Sequence, residues 1–296
     1  MKAIVLGAAA GGGFPQWNCR CAVCALAWAG DERVKPATQS SLAISTDGAF
    51  WLLLNASPDI GAQLRATPAL WPRGERESPI TAVALTNADI DHIGGLLTLR
   101  ERQAFSIFAM KQVHAALTMN PMFSVLSAPV RMEVYSGVPF RALEGLECAL
   151  VAVPGKVALF LEGESPKLAS DEGDTAAAFV SDGNKTLAYV PGCASLTDRL
   201  IDRLSGADAV LFDGTLFNDD EMIRAGVGEK TGRRMGHLPI AGEGGSLEIL
   251  SRLPVARKIY IHINNTNPVW IDGSPERREV EAAGVEIAYD GMEIVL

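Results

Sequence analysis

The chain has 296 residues, 48% of them hydrophobic, with a formal net charge of −9 and a pI near 5.0. That length and apolar content suffice for one large core or two modest ones, and an acidic chain whose basic residues gather only in short pairs (Arg233-Arg234, Arg257-Lys258, Arg277-Arg278) argues against nucleic acid as a partner. It holds no apolar run of about 18 residues, so no transmembrane helix and no membrane partner are expected; the brief apolar start after Lys2 reads as a buried strand rather than a signal peptide, and the cytoplasm is the default location.

In chain order, residues 2–7 form the first strand and run into a glycine loop, Gly7 to Gly13. The loop does not match G-x-G-x-x-G, and no ribose-binding acid follows a second parallel strand, so it reads as a tight strand exit that lets backbone approach a site. Residues 41–45 and 50–55 make a hairpin around Thr46-Asp47-Gly48-Ala49. Residues 58–67 are helical, with Ile60 and Leu64 four apart. A short apolar strand at 81–85 leads into T-N-A-D-I-D-H-I-G-G, Thr86 to Gly95, and a helix is expected over 95–102. Later strands fall at 106–109, 147–153, 176–181, 186–190, 209–213 and 258–263, and helices at 197–204, 245–253 and 274–283. The polar stretch 162–174 is a surface loop. Strands and helices alternate irregularly, with no repeat, heptad array or low-complexity linker. This predicts one domain over 1–296, an α/β four-layer αββα sandwich.

Trp17-Asn18-Cys19-Arg20-Cys21-Ala22-Val23-Cys24 packs three of the five cysteines into six residues. An odd count and such close spacing suit a metal better than a disulfide framework. Thiolates are soft ligands for zinc, so residues 17–24 read as a structural zinc knuckle, with Cys19, Cys21 and Cys24 needing a fourth ligand from elsewhere. Cys148 and Cys193 stand alone, Cys148 as a core residue.

The segment from Thr86 places Asn87, Asp89, Asp91 and His92 beyond a strand end, followed by Gly94-Gly95, which permit a sharp turn into a helix. An isolated Asp-His pair is often only a helix-capping surface turn. The whole run resembles the metallo-β-lactamase superfamily signature H-x-H-x-D-H-x-G-G, with Asn87 and Asp89 standing where two histidines are usual. The resemblance continues in order along the chain. Gly192, in Val190-Pro191-Gly192-Cys193, falls at the position of a metal-bridging aspartate. Asp213 matches a strand-end acid, and His237 in Met235-Gly236-His237 a mobile proton-donating histidine, of the phosphodiesterase branch. His262 in Tyr260-Ile261-His262 matches the last metal-ligand histidine. The third histidine of the first metal site would fall near Pro154-Gly155-Lys156, and no histidine lies between His114 and His237. The resemblance therefore implies that the first site is absent or poor and that the second survives as Asp91, His92 and His262, with Asp89 a candidate fourth ligand or hydrogen-bond partner. Two imidazoles and a carboxylate with open positions suit non-haem Fe(II) and dioxygen, and zinc with a bound water is the alternative. Asp213 and His237 are implied as a proton-transfer pair. By resemblance to knuckle-bearing phosphodiesterase-like members, Asn265 is the candidate fourth zinc ligand.

The combination of G-A-A-A-G-G-G-F-P-Q-W-N-C-R-C-A-V-C, L-L-L-N-A-S-P-D-I, the altered signature, Y-V-P-G-C-A, G-H-L-P-I and I-H-I-N-N-T-N-P spans the chain. It is similar to the coenzyme PQQ biosynthesis protein B family. That resemblance implies a place in pyrroloquinoline quinone (PQQ) biosynthesis, as an iron-dependent oxygenase hydroxylating the tyrosine ring of a cross-linked Glu-Tyr intermediate. The alternatives are a carrier of PQQ or its precursor to the periplasm and a single-zinc hydrolase. A carrier has no need of an Asp-His-His site. The implied partners are the peptide-derived Glu-Tyr substrate and dioxygen, other proteins of the PQQ pathway, and a second copy of the chain in a homodimer. Lys230, Arg233 or Arg234 would receive the substrate's carboxylates.

Overall fold

Lys2–Gly7 (β1) shows how the layers arise from sequence. Its side chains alternate: Ala3 and Val5 join the core between two sheets, while Ile4 and Leu6 face a second core under the outer helices. A strand covered on both faces reads as a continuous apolar run, as this one does. Ile80–Leu85 (β4) repeats the pattern, with Ala82 and Ala84 inward and Val83 and Leu85 outward. In this computed structural model, residues 1–126, 130–163 and 168–296 are described.

The first sheet comprises β1, Ser41–Ser45 (β2), Trp51–Leu54 (β3), β4, Ser106–Met110 (β5) and Val130–Val134 (β6). The second comprises Phe140–Leu143 (β7), Leu146–Ala152 (β8), Ala176–Ser181 (β9), Thr186–Val190 (β10), Ala209–Asp213 (β11), Arg257–Ile261 (β12) and Glu286–Ile287 (β13). Glu293–Val295 (β14) returns to pair with β1, giving the orders β14-β1-β2-β3-β4-β5-β6 and β13-β12-β11-β10-β9-β8-β7. Strands β3 to β6 run parallel, as do β10 to β13. One core, including Leu42, Leu52, Leu150, Val180 and Leu211, joins the two sheets, and Ile60, Val113 and Leu117 from helices pack the outer face of the first. This is the four-layer sandwich expected from the sequence, and the hairpin is present as antiparallel β2–β3. Among the described residues no helix is long and apolar enough to cross a membrane.

One expected element differs. The helix foreseen over 95–102 instead starts inside the signature, as Ile90–Ile93, and tightens into a 3₁₀ turn at Gly94–Leu97. The cause is pairing outside the helix: Ala56 N–H donates to His92 O and Gly95 N–H to Ala56 O. Backbone comes so close that a Cβ on Gly95 would sit 2.1 Å from Ser57 O, which requires glycine. The helix Lys111–Met119 and the strands β6 and β7 were not foreseen. Of the polar 162–174 loop, residues 164–167 lie outside the described residues.

Candidate metal centre

Four strand ends supply the site. The chain leaves β4 into Asp91 and His92, β10 into Gly192, β11 at Asp213 and β12 into His262. The carboxyl ends of parallel strands are the usual place for ligands in α/β sheets. Ligand atoms of Asp91, His92 and His262 all lie within 4.8 Å of one another. Asp91 Oδ2 is 3.0 Å from His262 Nε2 and 3.7 Å from His92 Nε2. The glycine loop closes one side: Ala10 N–H donates to Ile263 O, and a Cβ on Gly11 would stand 3.4 Å from the Asp91 carboxyl. Backbone thus approaches the site as that loop suggested.

Two threonines orient the imidazoles. Thr215 Oγ1 lies 2.6 Å from Asp213 Oδ1, to which it must donate, and 2.9 Å from His262 Nδ1. With its one proton given to Asp213, the hydroxyl accepts from His262 Nδ1–H. Thr86 Oγ1 stands 3.3 Å from His92 Nδ1 and also meets Asn55 Oδ1 (3.1 Å) and Asn55 Nδ2 (2.9 Å), so it holds that ring with Nε2 facing the site. The hydrogen-bond network thereby assigns a lone pair to His262 Nε2. His262 Nε2 then meets Asp91 Oδ2 acceptor to acceptor, and His92 Nε2 is buried with no hydrogen-bond partner. A cation satisfies all three atoms, so these residues fit a metal ion. Burial pushes the His92 imidazole down to about 4 against the pull of Asp91, leaving it in the neutral form that ligates.

His262 itself has φ 59°, in the left-handed region rarely adopted by non-glycine residues. The flanking Ile263 N–H donates to Ala8 O and fixes this turn. Strand β12 therefore stops at Ile261, two residues earlier than the sequence suggested.

Asp213 is fully buried and saturated. Its Oδ1 accepts from Thr215 N and Oγ1, and its Oδ2 from Cys193 N and His237 Nδ1, the last at 2.8 Å. It belongs geometrically with His237 and His262 as a second candidate cluster, but its hydrogen bonds make it the holder of His237. Burial pushes the His237 imidazole down, and the charges of Asp213, Asp89 and Asp91 more than reverse this, so its pKa is raised. Gly192 faces the same ring, with a built Cβ 3.6 Å from His237 Cε1, at the position of the absent bridging acid.

The positions that lost histidines have other partners. Asn87 Oδ1 accepts from Asp89 N, and Asp89 Oδ1 from Leu159 N. Asp89 is in none of the candidate metal clusters among the described residues. Burial and the neighbouring Asp91 raise its pKa, against the charge of Lys156. Lys156 and Lys230 line the same cavity, of about 380 Å³, as Asp91, His237 and His262. Arg233 does not join them; its N–H donates to Asp219 and its guanidinium to Glu243 O. A larger cavity of about 530 Å³, walled by Leu70, Trp71 and Phe105, holds none of these residues.

The second centre is made of thiols. Cys19, Cys21 and Cys24 are buried together. Asn265 Nδ2 lies 3.2 Å from Cys19 Sγ, 3.3 Å from Cys24 Sγ and 3.9 Å from Cys21 Sγ. The amide is thus aimed at the centre of the triad, and rotating it by half a turn presents Oδ1 there instead. Backbone N–H groups of Cys21 and Cys24 point at Cys19 Sγ and Cys21 Sγ. Burial pushes the Cys21 thiol up to about 12, a penalty that a divalent cation removes by holding the thiolate. Cys193 Sγ bonds Ser195 O, and Cys148 is a core residue, as expected.

Residues 50–263 match the model of the beta-lactamase superfamily domain. The chain is 55% identical to the coenzyme PQQ synthesis protein B of Methylobacterium nodulans, over the whole of both chains. It superposes on the crystal structure of Zn(2+)-bound PqqB from Methylobacterium extorquens with a TM-score of 0.98 at 51% identity, again over the whole of both chains. A diphosphatase of the PhnP family, 20% identical over 99% of this chain and 97% of its own, shares the fold with a TM-score of 0.68.

Proposed function

Since the chain belongs to the coenzyme PQQ synthesis protein B family of the beta-lactamase superfamily, we propose that it acts in PQQ biosynthesis as an iron-dependent oxygenase, hydroxylating the tyrosine ring of the cross-linked Glu-Tyr intermediate. The observation that carries this reading is the set of two imidazoles and one carboxylate made by Asp91, His92 and His262, of which Asp91 and His262 line a cavity, with Asn87 and Asp89 where the superfamily signature has histidines. Asp91, His92 and His262 would hold Fe(II), which supplies dioxygen activation when bound. The protein's own residues provide the rest. Thr86 and Thr215 fix which imidazole nitrogen faces inward. Asp213 holds His237 with Nδ1 occupied, so Nε2 is the atom that exchanges a proton with the substrate. Cys19, Cys21, Cys24 and Asn265 would hold a structural zinc.

A single-zinc hydrolase is the second reading, favoured by the Zn(2+)-bound relative. Anaerobic reconstitution with Fe(II) or Zn(II), followed by oxygen-electrode measurements with the cross-linked Glu-Tyr compound, separates the two. We expect stoichiometric oxygen uptake with iron alone. Hydrolysis of an ester or amide by the zinc form, with no iron-dependent uptake, would overturn the oxygenase reading.

A further inference from the structure

Beside the metal-ligand cluster lies a group of charges that the proton and metal chemistry leaves unused. The carboxylate of Glu162, with its side chain only 9% exposed, sits among three cations. Its Oε1 is 3.0 Å from Lys156 Nζ, and its Oε2 is 3.4 Å from Arg234 Nη2 and 3.7 Å from Lys230 Nζ. Asp89 also acts on Lys156, yet Arg234 and Lys230 share Glu162 Oε2 at 3.4 and 3.7 Å, so the positive charges of the group outnumber its carboxylates. Glu162 Oε1 has no well-formed hydrogen bond, and Arg234 Nη1 is buried without a partner among the described residues. A guanidinium is built to grip a carboxylate through two parallel N–H donors, and here only one is in use. Lys156 and Lys230 also line the cavity that contains Asp91, His237 and His262.

The segment that carries Glu162 is weakly anchored. Its 3₁₀ turn, Leu159–Leu161, buries none of its own side chains; Leu159, Phe160 and Leu161 are all exposed. Ala158 before the turn packs in the outer core and Leu159 N–H donates to Asp89 Oδ1; beyond them, among the described residues, the ion cluster of Glu162 is the side-chain tie. A segment that buries so little past its first residue opens at low free energy when its polar ties are exchanged for equivalent ones.

We propose that Lys156, Lys230 and Arg234 form a carboxylate-binding subsite beside the metal-ligand cluster, filled in the ligand-free protein by Glu162, which a carboxylate of an incoming polycarboxylic ligand displaces. The proposal rests on the reading of a Glu-Tyr-derived substrate, since such a molecule carries several carboxylates. Exchange conserves charge: one carboxylate leaves the three cations as another arrives. The incoming group adds what Glu162 lacks, a second hydrogen bond to the Arg234 fork. Glu162 is thus a competitor held in place by the fold. It keeps the largely buried Lys156 and the half-buried Arg234 and Lys230 paired while the cavity is empty and sets a threshold that ligands with one weak charge do not pass.

The test is equilibrium binding by titration calorimetry, using the metal-loaded full chain. The probes are PQQ, which has three carboxylates, and its trimethyl ester, which has the same ring system and no carboxylate charge. E162Q removes the internal competitor and is expected to bind the triacid about tenfold more tightly, with ester binding unchanged. R234Q is expected to weaken triacid binding by about tenfold and to leave the ester alone. Should E162Q fail to fold, R234Q decides by itself. Triacid binding that E162Q does not tighten, or that R234Q does not weaken, would overturn the subsite, as would equal changes for acid and ester. Binding needs no turnover, so the outcomes separate. The binding pattern without iron-dependent oxygen uptake keeps the subsite and removes the oxygenase; oxygen uptake without the pattern does the reverse.

Discussion

The thiol cluster and the imidazole–carboxylate cluster stand three residues apart on one turn, Asn265 aimed at the first and His262 at the second, yet they are built on opposite plans. Three soft, buried thiols close around Asn265, on a short helix and a loop. The hard-and-borderline set of Asp91, His92 and His262 sits at the ends of parallel strands, opens to a cavity of about 380 Å³, and has a second tier of threonine, aspartate and histidine behind it. Closed thiolate sites hold a structure together; open sites with oriented histidines leave room for chemistry. On the proposed reading, the same turn ties a stability element to a reactive one.

The strongest way to break this contrast is a reciprocal exchange. His262→Ala is expected to remove one bound metal and iron-dependent turnover, by roughly a thousandfold or more, while the melting transition stays cooperative. Cys21→Ser is expected to remove the other metal and about 4 kcal/mol or more of stability, while the protein that remains folded at low temperature still turns over. Metal analysis, thermal melts and oxygen uptake on both variants measure this. If Cys21→Ser abolished turnover without loss of stability, the thiol cluster would be the reactive one.

Between the clusters, Glu221 anchors the turn they share. Its Oε1 accepts from Thr266 Oγ1 at 2.6 Å and its Oε2 from Phe217 N at 2.7 Å, and Thr266 in turn accepts from Asn264. Burial pushes this carboxyl up from 4.5 to about 7, against those hydrogen bonds. The folded state thus keeps a proton that the unfolded chain releases. The contribution of Glu221 is fully present below about pH 4.5 and is lost as pH rises toward 7, at most on the order of 3 kcal/mol. Glu221→Gln is expected to flatten that part of the stability–pH curve, measured by urea unfolding from pH 5 to 7.5. A wild-type curve that rises with pH as steeply as that of the variant would show Glu221 ionised and well solvated in the native state.

The contrast was unevenly legible in the sequence. The thiol cluster could be read directly, because its three ligands fall within six residues and need little tertiary structure to meet. Asp91 and His92 were readable from the strand–turn–glycine context, and His262 only by resemblance, since 171 positions separate it from Asp91. The sandwich followed from apolar runs such as β1 and β4, whose two-faced burial leaves a strong signal. The edge strand β7 did not, because its residues are only half-buried and carry no clear alternation. The early helix start at Ile90 depends on Ala56, a neighbour that periodicity cannot reveal. Glu162 looked like part of a polar loop; its place among Lys156, Lys230 and Arg234 exists only once two distant segments meet. Asn87 and Asp89 were legible as losses, but their bonds to each other and to Leu159 were not.

Thr215 was missed altogether, and it offers the finest test of the contrast. A threonine after a strand carries no signal, yet this hydroxyl sits 2.6 Å from Asp213 Oδ1, 2.9 Å from His262 Nδ1 and 3.1 Å from His237 Nδ1. This hydroxyl touches both the proposed ligand His262 and the proposed proton-transfer pair Asp213 and His237. Thr215→Val keeps the shape and removes the hydroxyl, so His262 Nδ1 loses the acceptor that turns its Nε2 toward Asp91. Loss of such a supporting hydrogen bond typically weakens metal binding by about 10- to 100-fold. The expected result is an iron titration shifted by that amount, with the thiol-bound zinc and the melting temperature nearly unchanged, and turnover recovered at saturating iron. Thr215→Ser, which restores the hydroxyl, is expected to return affinity close to wild type. If valine left iron binding untouched, the imidazole of His262 would be positioned by its left-handed backbone alone, and the hydroxyl would serve only to hold Asp213 in place.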